Sequence, residues 1–309
     1  MTDDFHPELR RIARFLPRNA FTRHTVPMVQ AMSRLMAGKR RKGVEMVRLP
    51  EGVSLRLQRP RTARGCGAAM LWLHGGGYVL GSATQDDDLC RRFAECLGIP
   101  VAAPEYRLAP QNPYPAALED CYVALRWLSQ LDGVNPSRIV IAGASAGGGL
   151  SAALSLLARD RGEIAPIFQL LVYPMLDDRS SDRPELANNP LHRLWTEKTN
   201  RLGWESYLRG ADPERAVPAR QKDLTRVAPA WVGVGTLDPL HDEDVEYAHR
   251  LNAAGVPCSL EIVPGAFHGF DAVAAKTGVS REFFQRQCEA IEAVLKRGLC
   301  GFEQHGPRY

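Results

Sequence analysis

The stretch Arg138-Ile-Val-Ile-Ala-Gly-Ala-Ser-Ala-Gly-Gly-Gly-Leu150 decides the fold. Ile139 to Ala142 is a short apolar, β-branched run, the pattern of a buried strand. The chain then turns on Gly143, presents Ser145 and passes through Gly147 to Gly149. The Ala/Leu-rich segment from Leu150 to Ala158 has helical spacing. Strand, Gly-Ala-Ser-Ala-Gly and helix together form the pattern of a nucleophile elbow. The turn is so sharp that side chains two residues either side of the serine would strike neighbouring backbone. The hydroxyl is left at the end of a strand and the start of a helix, where free N–H groups and the helix dipole favour negative charge.

Working outward, the 309 residues alternate strand-like and helix-like segments. Val44 to Leu49 and Val53 to Leu57 alternate apolar and polar residues around Pro50-Glu-Gly52. They predict a hairpin with one exposed face at a sheet edge. Ala69 to Leu73 is a buried strand that delivers His74-Gly-Gly-Gly77. A helix is expected over 87–97, a strand over 101–106, a long amphipathic helix over 116–131 and a strand over 168–173. Further strands are expected over 230–235, ending at Asp238, and over 259–263, leading to His268. Helices are expected over 242–254 and 281–297. This order predicts an α/β fold with a mostly parallel sheet and helices on both faces. In such sheets chemistry sits beyond the C-terminal strand ends. His74, Ser145, Asp238 and His268 all fall there.

Two regions do not fit the alternation. Residues 1–43 carry a loose helical pattern broken at Pro17 and Pro27. Its apolar set is Phe15, Leu16, Val29, Met32, Leu35 and Met36. The interval 176–220 is polar, with one helical stretch holding Trp204 and Tyr207. Both read as helical cap material flanking a core of 44–175 and 221–300. The apolar side of the N-terminal segment is expected on the cap helix near Trp204 and Tyr207. Residues 301–309 read as a tail.

Composition is that of a globular protein, 45% hydrophobic and 24% charged. The net charge of +4, from 39 basic and 35 acidic residues, is too balanced for nucleic acid. The seven cysteines are scattered, with neither C-x-x-C pairs nor zinc spacing, so neither a disulfide framework nor a metal site is expected. The N-terminus lacks an apolar signal region, and no stretch is long and apolar enough for a membrane span. A cytoplasmic protein with no metal, cofactor or nucleic-acid partner is the expectation.

A serine hydroxyl needs an adjacent base, and that base is usually a histidine oriented by a carboxylate. In this sheet order the three follow as serine, acid, histidine. Ser145, Asp238 and His268 satisfy it. Asp242, Glu243 and Asp244 compete with Asp238 but read more simply as first-turn carboxylates that complement a helix dipole. His74 precedes the serine and is poorly placed as base. His74-Gly-Gly-Gly77 offers consecutive unhindered N–H groups for a developing oxyanion, and Ala146 offers another.

The motifs His74-Gly-Gly-Gly-Tyr78, Tyr106-Arg-Leu-Ala-Pro110, Gly143-Ala-Ser-Ala-Gly-Gly148, Asp238-Pro-Leu240 and His268-Gly-Phe270 resemble the hormone-sensitive-lipase-like (family IV) branch of the α/β-hydrolases. Tyr114-Pro-Ala-Ala-Leu-Glu-Asp120 adds to the likeness, which covers about residues 44 to 297. It implies an eight-stranded sheet, a helical cap and cofactor-free hydrolysis of short- to medium-chain carboxylic esters. It also implies oxyanion donors at Gly76, Gly77 and Ala146. Tyr78, Trp204 and Tyr207 are the candidates for substrate contact. Members of the family often form homodimers, although the sequence itself carries no signature of one. Ala144 stands where the family commonly has Asp, and Gln111 where it commonly has Glu. An amidase would use the same residues. The rival of another class is a non-catalytic small-molecule receptor, but receptors resembling this family lack the base, and His268 is present.

Overall fold

The computed structural model describes residues 4–18, 22–37 and 41–300, with side chains left out over 32–37 and 297–300. Residues 301–309 and the side chains of Met32, Leu35 and Met36 therefore lie outside the described set.

Eight strands form one sheet: β1 Glu45–Arg48, β2 Ser54–Gln58, β3 Ala69–Leu73, β4 Val101–Glu105, β5 Ile139–Ala144, β6 Phe168–Val172, β7 Ala230–Gly235 and β8 Cys258–Val263. Their order is β1-β2-β4-β3-β5-β6-β7-β8. β1 and β2 pair antiparallel, β2 pairs antiparallel with β4, and every pairing from β4 to β8 is parallel. The helices are α1 Arg10–Phe15, α2 Val26–Ala37, α3 Asp87–Leu97, α4 Ala116–Ser129, α5 Ala146–Arg161, α6 Glu197–Leu208, α7 Pro213–Ala216, α8 His241–Ala253, α9 Phe270–Val273 and α10 Gly278–Cys300.

Strands β3, β5 and β7 are apolar throughout because both of their faces are covered. Their period-two geometry sorts the side chains. Ala69, Leu71 and Leu73 of β3 join Ile139 and Ile141 of β5 in a core with α4 and α5. Met70 and Trp72 join Val140 and Ala142 on the other face, with α3 and α10. One expectation fails at the hairpin. The polar face of β2 is covered, not exposed: Arg56 is buried and donates twice, at 2.7 Å, to the carboxylate of Asp87 at the start of α3. A guanidinium there is tolerated because a planar carboxylate satisfies it bidentately.

The first part of the N-terminal segment, residues 4–18, docks elsewhere than on the cap helix. Leu9 and Ala13 are buried in the core on the α3/α10 face. The Phe5 ring meets that of Phe267 edge-on at 6.1 Å, and His6 N–H donates to Gly265 O at 2.9 Å. Arg193 donates to Ala13 O at 2.7 Å, and Arg18 donates to Asn188 O and Asn189 O, both at 2.8 Å. The segment thus ties the loop before His268 to the 176–220 insertion. Phe15 is 83% exposed. Among the described side chains of α2, Val26 joins the cluster containing Trp204 and Tyr207.

Candidate active site

Ser145 sits between β5 and α5 with φ 56° and ψ −122°, a strained conformation for a residue with a side chain. Its N–H is held by Val172 O at 2.9 Å, and its carbonyl accepts from Met175 N at 3.0 Å. The flanking glycines are required by contact. A Cβ on Gly143 would strike Gly147 O and Leu73 O, and one on Gly147 would strike Leu73 O and His74 O. Strands β3 and β5 and the start of α5 thus approach too closely for any side chain.

The three candidate residues meet. His268 Nε2 lies 2.9 Å from Ser145 Oγ, and His268 Nδ1 lies 2.8 Å from Asp238 Oδ2. With Nδ1–H donating to the carboxylate, Nε2 is left to accept from the serine hydroxyl. Asp238 is fixed in turn by the N–H of Leu240, which donates to Oδ1 at 2.9 Å. All three side chains are buried, and Ser145 and His268 line a cavity of about 670 Å³.

The glycine loop is pressed against the nucleophile: a Cβ on Gly75 would lie 3.3 Å from Ser145 Cβ. The left-handed conformations at Gly76, Gly77 and Tyr78 (φ 134°, 60° and 64°) turn the loop past Ser145. Ala146 opens α5, so its N–H is among the first four donors without an intrahelical partner. His74 braces the loop from behind. Its ring stacks on Tyr106 at 4.1 Å, and Tyr106 OH donates to His74 O at 2.7 Å. Burial lowers the His74 pKa to about 4, so it stays a neutral structural ring.

Tyr78, Trp204 and Tyr207 are placed differently from the expectation. Tyr78 and Tyr207 stack at 4.1 Å, with Trp204 5.1 Å from Tyr78. All three are at most 2% exposed and stand off the cavity wall. They are buried because each completes the others' apolar surface. Two residues that the sequence reading missed stand at the triad instead. Tyr173 meets the His268 ring edge-on at 4.9 Å, and the Trp195 ring lies 5.8 Å from it. Trp195 also lies over Gly77, where a Cβ would strike the ring. Tyr173 directly follows β6, so a strand-end signal was available for it. Trp195 sits in a polar interval with no periodicity to mark it.

The acidic run after Asp238 divides. Asp242 is exposed beside His241, as a first-turn carboxylate should be. Glu243 and Asp244 turn inward instead. Glu243 accepts from the N–H groups of Leu176 and Asp177 at 2.7 and 3.1 Å, and burial pushes it up to about 8. Asp244 is fully buried and raised well above the usual carboxylate range, first by burial and then by Glu243.

The sequence matches the family described as alpha/beta hydrolase fold over residues 70–272. It is 36% identical to Esterase LipI of Mycobacterium tuberculosis over 234 residues, 73% of this chain and 72% of that protein. It is 34% identical to Carboxylesterase NlhH of the same organism, covering 79% of each. The solved structure of a bacterial heroin esterase superposes with a TM-score of 0.84 at 34% identity, covering 95% of this chain and 99% of that one. The chain belongs to the hormone-sensitive-lipase-like branch of the α/β-hydrolase family. It is a carboxylic ester hydrolase.

Proposed function

We propose that Ser145, His268 and Asp238 are its catalytic residues, working by two-step acyl transfer. The observation that carries this is the unbroken chain from Ser145 Oγ through the imidazole to Asp238. His268 takes the serine proton as Oγ attacks the ester carbonyl. The tetrahedral oxyanion is met by the N–H groups of Gly76, Gly77 and Ala146, whose fixed dipoles need no reorganisation. His268 then gives the proton to the leaving alcohol, and water repeats the sequence on the acyl-enzyme. Asp238 holds the tautomer and stabilises the imidazolium without itself accepting the proton.

Trp195 over Gly77 and the filled aromatic cluster support a preference for the short end of the short- to medium-chain range. Residues 4–18 and the 176–220 insertion, bound to each other through Arg18 and Arg193, act as the cap. Among the described residues, no helix is long and apolar enough to cross a membrane. The six described cysteines are free thiols, which supports a cytoplasmic setting. β8 ends the sheet with Ile262 40% exposed, an edge that supports a homodimer.

A phosphonate ester probe tests the site directly. Mass spectrometry should find the adduct on Ser145, and nitrophenyl esters of increasing acyl length should show their best kcat/KM at the short members. Labelling elsewhere with full loss of activity overturns the assignment.

A further inference from the structure

The cavity at Ser145 carries a feature that a plain alkyl ester does not use. Its far wall is formed by the start of α3 and the segment after His268. They bring Asp86 and Asp271 into one space. Each carboxyl is aimed by an aromatic donor. Trp72 Nε1–H donates to Asp86 Oδ2 at 2.8 Å, and Tyr173 OH donates to Asp271 Oδ1 at 2.6 Å. Burial, with the neighbouring charge of Asp271 added to it, pushes Asp86 up to about 7, and burial raises Asp271 as well.

Neither carboxyl has an ion-pair partner among the described residues, while the neighbouring acids do. Asp87 faces Arg56, and Asp88 is bound by Arg91 at 2.7 Å and by Arg41 at 3.5 Å. The Arg92 guanidinium lines the same cavity and lies over the Phe284 ring, 3.9 Å from its centre, so the wall carries two carboxyls against this one cation. Two half-buried like charges without a counter-ion are unfavourable, and either protonation or a bound cation relieves them.

The reaction geometry says which part of a substrate reaches this wall. His268 must deliver its proton to the leaving oxygen, so the alcohol lies on the histidine side of the carbonyl. The wall bearing Asp271 continues directly from His268. The acyl side is bounded by Trp195 over Gly77. Resting on the triad assignment above, we propose that Asp86 and Asp271 form a cation-recognising subsite for the leaving group. The enzyme then favours esters of amino alcohols, protonated or quaternary at nitrogen, over neutral esters of the same shape. Leu80, Leu89 and Leu194 line the same cavity and suit the alkyl groups of such an amine. Among the described residues, no group of three His, Cys, Asp or Glu could hold a metal ion, so the donor set favours an organic cation.

Acetylcholine and 3,3-dimethylbutyl acetate test this, since they share a shape and differ in charge. The wild type should favour the charged ester in kcat/KM by about tenfold. The ratio should rise as pH is raised through about 7, because the quaternary charge does not titrate and Asp86 does. Asp86→Asn and Asp271→Asn should each lower the ratio at least about threefold. Choline binding to Ser145→Ala, followed by calorimetry, reads the subsite without hydrolysis and should weaken with the same Asn changes. A wild-type ratio of one or less overturns the proposal. So do Asn variants that lower both esters in parallel, which makes the pair a structural feature kept protonated. If nitrophenyl acetate is also left uncleaved while choline binding still depends on Asp86, the subsite stands and the triad reading fails.

Discussion

Two acidic pairs lie on either side of His268 and Asp238, and they differ in what surrounds them. Asp86 and Asp271 line the open cavity, held by Trp72 and Gln85 on one side and by Tyr173 and the first backbone N–H groups of α9 on the other. Glu243 and Asp244 lie behind Asp238, closed off from solvent. Glu243 is anchored by two backbone N–H groups, while both carboxyl oxygens of Asp244 lack a partner. Both are pairs of carboxyls, but the cavity pair can be satisfied by something that arrives, whereas the enclosed pair can be satisfied only by keeping its protons. One is suited to recognition and the other to structure.

The largest test asks whether the chemistry belongs to the residues between the two pairs. Ser145→Ala should lower kcat by about 10⁴-fold or more, with an unchanged circular dichroism spectrum. Retention of a tenth of the activity in a pure preparation would place the nucleophile elsewhere. Asp238→Asn should cost about 10⁴-fold in kcat, because the amide favours the wrong imidazole tautomer. A loss confined to KM would show that Asp238 acts on binding and does not orient His268.

A smaller effect tests the boundary between the acyl side and the cavity. Trp195→Ala should uncover Gly77 and widen the acyl side. The preferred acyl chain should lengthen, and acetate esters should lose up to about tenfold in kcat/KM through poorer positioning. An unchanged chain-length profile would mean that Trp195 closes nothing.

Much of this was legible in the sequence because it is local. The all-apolar runs of β3, β5 and β7 announce strands covered on both faces. The glycines around Ser145 announce a close approach that the contacts of Gly143 and Gly147 bear out. The chain order of Ser145, Asp238 and His268 follows from the sheet alone. What stayed hidden depends on long-range partners. Asp86 and Asp271 are far apart in the chain and share a wall only through the sheet order. Arg56 looks like a surface residue until Asp87 covers it. The apolar residues of α1 are equally compatible with the cap helix and with the loop before His268. The fit of Phe5 against Phe267 and the His6 to Gly265 hydrogen bond select the second. Glu243 sits on the first turn of α8, where a dipole-facing carboxylate and a buried one have the same spacing.

That last ambiguity has a consequence in stability. The Glu243 carboxyl is pushed up to about 8 in the folded chain, first by burial and against the hydrogen bonds that favour its ionised form. In the unfolded chain it ionises in the ordinary carboxylate range, near pH 4. Below that range the group is protonated in both states, and its burial carries no ionisation penalty. As pH rises toward about 8 the unfolded state loses its proton while the folded state keeps it, so stability falls across this window. Glu243→Gln mimics the protonated acid. The amide oxygen can still accept from Leu176 and Asp177, and no proton can be lost. At pH 5 the variant should melt within about 2 °C of the wild type. At pH 8.5 it should melt higher by about 2–4 °C, roughly 1 kcal/mol of relieved penalty in a domain of this size. Melting curves taken by circular dichroism from pH 5 to 8.5 decide it. Parallel curves for the two proteins would mean that Glu243 ionises as freely when folded as when unfolded, and the distinction between the enclosed pair and the cavity pair would be lost.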